Sequence, residues 1–260
     1  MVMEISVEHL TDELSSNVYD TYTVYVEGHR ILVTVVHSEH AASAGKWLKE
    51  ALKIQNTRLR DTVVVGVIAG HDLHYGFLNK DLRTTPYDLI QLCIGSHCLL
   101  YFLPWKYKAK ETGLKFMNNF LSQPKVFAVG MNIKVVAKRL EQDFHVKVEN
   151  PVDLNELAVR GMNRDDLDLV RYDLDRLAKL VLGKGFDVER PNYYLEWYYR
   201  RRWVVLGELF YHEELNPEKV KFASVDTYFC FLIGSQLLET IHLKKKNENK
   251  AAEKKKSKKK

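Results

Sequence analysis

The sequence predicts one α/β domain: a mixed sheet flanked by helices, with an N-terminal hairpin and a charged tail. Three observations lead there. Thr62 to Ala69 reads TVVVGVIA, an almost unbroken apolar run that suits a central strand buried on both faces. Asp88 to Ile94 and His97 to Leu103 are strand-like and separated only by Gly95-Ser96, a connection short enough for a tight hairpin. Beyond them helical and strand patterns alternate, which signals parallel pairing. The expected sheet is therefore an antiparallel three-stranded part followed by parallel strands.

Along the chain, Tyr19 to Val26 alternates as a half-buried strand does, and Ile31 to Val36 is β-branched and apolar. Glu27-Gly28-His29 supplies turn chemistry between them, so the two form the N-terminal hairpin. Glu39 to Ile54 places Ala42, Trp47, Ala51 and Leu52 at helical spacings. After the central hairpin come a helix Glu111 to Leu121, a strand Lys125 to Val129, a helix Ile133 to Phe144 and a short strand Val146 to Val148. The last third reads as helical. Asp165 to Leu182 carries Leu167, Val170, Leu174, Leu177 and Val181 at steps of three and four, with Gly183 as a stop. Asn216-Pro217 is an N-cap followed by proline at the first helical position, opening a long helix through Leu238.

The charge is unevenly distributed. Lys244 to Lys260 holds ten lysines against two glutamates, a net of about +8, so the formal +5 of the 260-residue chain leaves residues 1–243 at about −3. The chain thus divides into a body, 1–243, and a tail, 244–260, whose charge predicts disorder. A body with that balance is not the broad basic face expected of a dedicated non-specific nucleic-acid binder. The tail has three readings: a nuclear localisation signal, a phosphate-binding arm, or a solubilising end.

Cys93, Cys98 and Cys230 cannot form a complete disulfide set, and no second Cys/His cluster stands at zinc-like spacing. Cys93 and Cys98 are read as small core residues. The acidic start MVMEISVEHLTDEL lacks a basic segment followed by an apolar one, and no run reaches the roughly 18 apolar residues of a membrane span. A soluble protein of nucleus or cytoplasm is expected, without a membrane partner.

Several strings then stand in a familiar order: VVVGV at Val63 to Val67, LIQLCIGSHCLLYFL at Leu89 to Leu103, FAVGMN at Phe127 to Asn132, RLEQDF at Arg139 to Phe144, PVDLNELA at Pro151 to Ala158, and NPEKVKFASVD at Asn216 to Asp226. In this order and spacing they resemble the DEDD-type 3'-5' exonucleases of the ribonuclease H-like superfamily, and within them the plant Werner-exonuclease-like branch. The resemblance covers about Tyr19 to Leu238 and implies a ribonuclease H-like fold. It also implies a metal-dependent enzyme, in which two Mg²⁺ or Mn²⁺ ions about 3.5–4 Å apart hold the attacking and leaving oxygens. Such ions need several carboxylates, because hard dications prefer oxygen ligands.

The family's acids are mostly replaced. Aligned on VVVGV, the Asp-x-Glu pair of the first core strand falls on Ile68 and Gly70. The second-motif Asp falls on Val136, or on Val135 or Lys134 in neighbouring registers. The Tyr-x-x-x-Asp motif falls on Phe222 and Asp226, so Asp226 alone is retained. The change to Phe222 removes a hydroxyl that, in the tyrosine-bearing subclass, helps orient the attacking water. The resemblance therefore predicts a pseudo-nuclease with no metal cofactor.

Other residues could supply chemistry. His71, Asp72 and His74 follow the degenerate strand end and offer ligands for a rebuilt metal site, against the alternative of a solvated loop. Asp153 is read as a helix cap. In YYLEWYYRRRW, Tyr193 to Trp203, Arg200, Arg201 and Arg202 interleave with aromatics. That pattern fits stacking on single-stranded DNA or RNA, against the alternative of a packed helix with snorkelling arginines. Three functions follow: a dead nuclease fold that still contacts nucleic acid, a protein-interaction scaffold or homo-oligomer, or a nuclease with a rebuilt site.

Overall fold

The computed structural model describes residues 2–10, 19–54, 62–71, 86–104, 114–163, 171–193, 195–205 and 208–257. Within them, β1 (Ile5–His9), β2 (Tyr19–Val26), β3 (His29–His37), β4 (Val63–Gly70), β5 (Leu89–Ile94), β6 (His97–Phe102), β7 (Val126–Gly130) and β8 (Asn150–Asp153) form one sheet. Its order is β1-β2-β3-β6-β5-β4-β7-β8. β4, β5 and β6 are antiparallel neighbours, while β7 and β8 add in parallel beyond β4. The expected mixed sheet is present. The N-terminal hairpin closes through Glu27 (φ 49°) and Gly28 (φ 74°), two positive-φ positions that suit the twist of the paired strands.

Alternation along the strands sorts side chains to two faces. On one face, Val65, Val67, Ile90, Leu92, Leu99 and Tyr101 pack against α1 (Ala41–Ile54), α2 (Lys115–Leu121) and α3 (Ile133–Phe144). On the other, Val64, Leu89, Cys93, Cys98 and Leu100 pack against α4 (Leu154–Met162), α5 (Leu174–Val181) and α6 (Pro217–Ser257). Asn216 opens α6 as the sequence predicts, its Oδ1 accepting from the backbone N–H groups of Glu218 and Lys219 at 3.0 and 3.4 Å.

α6 lies very close to the sheet, and glycine makes that approach possible. A Cβ on Gly66 of β4 would overlap the Thr227 carbonyl oxygen and sit 2.7 Å from the Phe231 backbone nitrogen. A Cβ on Gly234 of α6 would meet Val129 of β7 at 2.5 Å. The helix backbone thus rests on the sheet with no side chain between them at these points.

Five expectations need correction. The strand expected at Val146 to Val148 is instead a loop, and the strand lies at Asn150–Asp153. Val146 is buried in the α1–α3 layer, and the Lys147 N–H donates to Asn118 Oδ1 rather than to a strand. The last third is not wholly helical: β9 (Tyr198–Val205) and β10 (Glu208–Leu215) form a two-stranded antiparallel ribbon. Tyr, Trp and Val in those runs favour strand over helix, so the packed helix expected for YYLEWYYRRRW is a strand from Tyr198 onward. Among the described residues the helix expected from Asp165 to Leu182 is α5, beginning only at Leu174; the Asp173 carboxylate accepts from the Arg176 N–H at 2.8 Å and so caps that start. The tail expected to be disordered from Lys244 continues α6 as far as Ser257. Ala, Glu and Lys are good helix formers, and a helix already nucleated by packing extends one hydrogen bond per residue. Finally, β1 was not foreseen, although Met3, Ile5 and Val7 alternate and cover the outer edge of β2.

Candidate functional site

Alternate residues of β4 face α6: Val64 and Ile68 join that core, and Gly66 touches the helix backbone. Gly70, at the same periodicity, lines a cleft of about 340 Å³ with His71, Leu89 and Gln91 from the sheet and Lys219, Phe222 and Asp226 from α6. Arg190, Pro191, Tyr193, Leu195 and Trp197 form its third wall. The fold therefore gathers three of the family-aligned positions, Gly70, Phe222 and Asp226, with Ile68 in the packed core beside them.

Val136 is not part of that cleft. It is buried in the α1–α3 core on the opposite face, while Val135 is 58% exposed and Lys134 pairs with Glu156 at 2.6 Å. None of the three registers brings a side chain to Asp226.

Asp226 is engaged by a residue that the sequence reading missed. Arg190 Nη2 donates to Asp226 Oδ1 at 2.6 Å, and Nη1 lies 3.3 Å from Oδ2. The same guanidinium grips Asp175 in the first turn of α5, with Nε donating to Oδ2 at 2.9 Å and Nη2 to Oδ1 at 2.8 Å. This is fork-to-fork pairing on both sides of one cation. Hydrogen bonding to Asp175 and the charge of Asp226 push the Arg190 pKa further up, against the effect of burial. At Asp226 burial raises the carboxyl pKa above its ordinary value, and Arg190 works in the opposite direction. Lys219 pulls it down as well, so two cations and two carboxylates nearly balance around the cleft.

A pair of hard dications would need several carboxylate oxygens free to coordinate them. Among the described residues Asp226 is the sole carboxylate lining the cleft, and both its oxygens face Arg190. A Cβ on Gly70 would meet nothing within 4 Å, so the position that carries a family acid is open space without a donor. Ile68 offers no donor either. Among the described residues no group of three or more His, Cys, Asp and Glu is placed to hold a metal. The cleft residues described do not fit a two-metal centre.

The remaining candidates fall as follows. His71 lies at the cleft, its Nδ1 3.1 Å from the Pro86 carbonyl oxygen and its ring 5.1 Å from Tyr87; Asp72 and His74 lie outside the described residues. Asp153 caps α4, accepting from the Asn155 and Glu156 N–H groups at 3.0 and 3.4 Å. On β9, Arg200, Arg201 and Arg202 stand in register with Glu213, His212 and Tyr211, and their side chains lie outside the described part. Cys93 and Cys98 are buried cross-strand partners with Sγ atoms 2.8 Å apart, and burial raises the Cys93 thiol well above its usual pKa. Cys230 is buried too. All three are core residues.

A buried polar pair borders the site. Thr227 Oγ1 is 2.8 Å from Gln91 Oε1 and 2.8 Å from the Ala223 carbonyl oxygen. A hydroxyl has one proton, so both contacts are satisfied when Thr227 donates to Ala223 and the Gln91 amide is turned to donate.

No protein-family model matches the chain. It is 25% identical over 170 residues to two proteins named 3'-5' exonuclease, from Drosophila willistoni and Drosophila grimshawi, a match covering 62% of this chain. The match spans 41% and 44% of those proteins, less than half the length of the curated relatives. Among solved structures, the catalytic core of RRP6 from Trypanosoma brucei superposes with a TM-score of 0.51 and 14% identity, covering 82% of this chain and 48% of that one. Among the described residues no helix is long and apolar enough to cross a membrane. The chain thus shares the fold of the RRP6 catalytic core and, over 62% of its length, is similar in sequence to proteins named 3'-5' exonuclease.

Proposed function

We propose that this chain is a pseudo-nuclease: a 3'-5' exonuclease-like fold that works without phosphodiester hydrolysis and without a divalent metal pair. The observation that carries the reading is the Arg190–Asp226 ion pair, with Nη2 2.6 Å from Oδ1. In a nuclease of this type the retained acid must present free oxygens to a cation that also touches the substrate phosphate. Here those oxygens are taken by a guanidinium that belongs to the fold. Ile68 and Gly70, at the other aligned positions, supply no charge to compete with it.

The activity in the names of the fly relatives is theirs. For this chain it suggests a ligand class, polynucleotides, without the reaction. The body's net charge of about −3 supports placing any such contact on the lysine-rich end of α6 rather than in the cleft. Its test uses 3'-labelled single-stranded DNA, double-stranded DNA and RNA with Mg²⁺ or Mn²⁺. No shortening is expected, and laddering that a chelator abolishes would overturn the reading. Gel shifts with the chain lacking residues 244–260 should lose most binding; retained binding that falls on changing Arg200, Arg201 and Arg202 to Ala would move the contact to the β9–β10 ribbon.

A further inference from the structure

Residues 186–193 follow α5 and bring Arg190, Pro191 and Tyr193 to the cleft wall, and the chain is fastened on both sides of them. The Met3 N–H, two residues before β1, donates to the Asp187 carbonyl at 2.9 Å, and Lys179 of α5 pairs with the Asp187 carboxylate at 2.5 Å. Farther on, Asn216 fixes Trp197, its N–H donating to the Trp197 carbonyl at 2.7 Å. Between these anchors Arg190 turns inward, and Pro191 fixes the backbone that follows. One nitrogen of Arg190, Nη2, is within 2.8 Å of a carboxylate oxygen from α5 and 2.6 Å of one from α6.

We propose that Arg190 is a latch, a tethered guanidinium that does between Asp175 and Asp226 what a bound cation would do and so fastens residues 186–193 as one wall of the cleft. Two carboxylates converging on one point repel each other and are costly to strip of water, and each is stabilised only while a cation stands between them. A mobile metal would leave the wall free to move whenever it dissociated. A cation attached to the wall makes closure of the cleft and neutralisation of the carboxylates one event. Packing alone does not explain the arrangement, because the three side chains are each about one-third exposed and meet through charged groups. The latch draws on the pseudo-nuclease reading only for the comparison with a metal.

A double-mutant cycle read by thermal unfolding tests it. In the wild-type background Asp226→Asn removes a partner of Arg190 and should lower Tm by about 5 °C. In an Arg190→Met background the same change removes one of two carboxylates that have lost their shared guanidinium, with only Lys219 left to offset Asp226, and should raise Tm by a few degrees. Hydrogen exchange at residues 186–193 should speed up at least tenfold in R190M, with less change in β4 or β6. Should R190M fail to fold, Arg190→Gln removes the charge with less disturbance and is held to the same reversal of sign. If Asp226→Asn shifts Tm in the same direction in both backgrounds, or exchange at 186–193 is unchanged, the latch is refuted. Nuclease activity plays no part in these readings, so detecting it would overturn the pseudo-nuclease alone.

Discussion

The two faces of the sheet are covered in opposite ways. The α1–α3 face is an almost wholly apolar layer in which Met117, Leu121, Ile133 and Tyr101 fill the space between helix and strand. On the α4–α6 face, α6 sits so close that Gly66 and Gly234 must lack side chains, and polar groups line its inner surface. The first arrangement is a core and nothing more. The second carries polar groups beneath α6, with Gln91 beside Thr227 and Asp226 paired by a guanidinium of the same chain.

The contrast breaks most severely at the glycine contact. Gly66→Ala places a methyl where the Thr227 carbonyl oxygen lies, and α6 cannot withdraw without leaving its neighbours. A loss of about 3 kcal/mol or more is expected in urea unfolding, with β4 and α6 losing protection together. An unchanged midpoint would mean that the helix is not seated on the strand. Next in size, Thr227→Val leaves the Gln91 amide without its partner in the interior. It should cost about 1–2 kcal/mol, and adding Gln91→Leu should recover most of that, whereas additive losses would deny the pairing.

Two histidines sharpen the comparison through pH, one toward each face. His37 stacks on Phe102 of the α4–α6 core at 4.8 Å, and His97, alternating with Cys98, points to the other side. Burial lowers the pKa of both below the ordinary 6.5. A folded state that binds protons more weakly than the unfolded chain is fully favoured above that value and loses stability as pH falls through the lowered folded pKa values. Stability measured at pH values between about 7.5 and 5 should decline, and His37→Gln and His97→Gln should each flatten the curve. A slope unaffected by either change would remove them as its source. The smallest effect is a gain: Gly45 lies inside α1, where a Cβ would find only ordinary contact with Phe116 at 3.9 Å. Gly45→Ala should stabilise by about 0.5–1 kcal/mol, the opposite sign to the same change at Gly66.

The sheet was readable because its signals are local. TVVVGVIA declares a strand buried on both sides, Gly95-Ser96 declares a hairpin, and Ile133 to Phe144 carries a full helical stripe. Where two periodicities compete the reading failed, as in the aromatic and basic run that became β9. Asp226 was singled out from NPEKVKFASVD and Gly70 from VVVGV, and both line the cleft. Arg190 was not. It sits in an irregular segment, 15 residues from Asp175 and 36 from Asp226, and no spacing announces a contact made only when three separate pieces of backbone fold together. A cation beside Pro191, in a chain with a single acid at the aligned positions, is the signal that a sequence could offer.

The most direct test of what neutralises Asp226 is a crystal of this protein soaked in millimolar Mn²⁺ and read by anomalous scattering at the cleft. The account predicts no manganese within coordinating distance of Asp226, with Arg190 still bridging it to Asp175. Manganese bound to the Asp226 carboxylate, with Arg190 swung away, would contradict it.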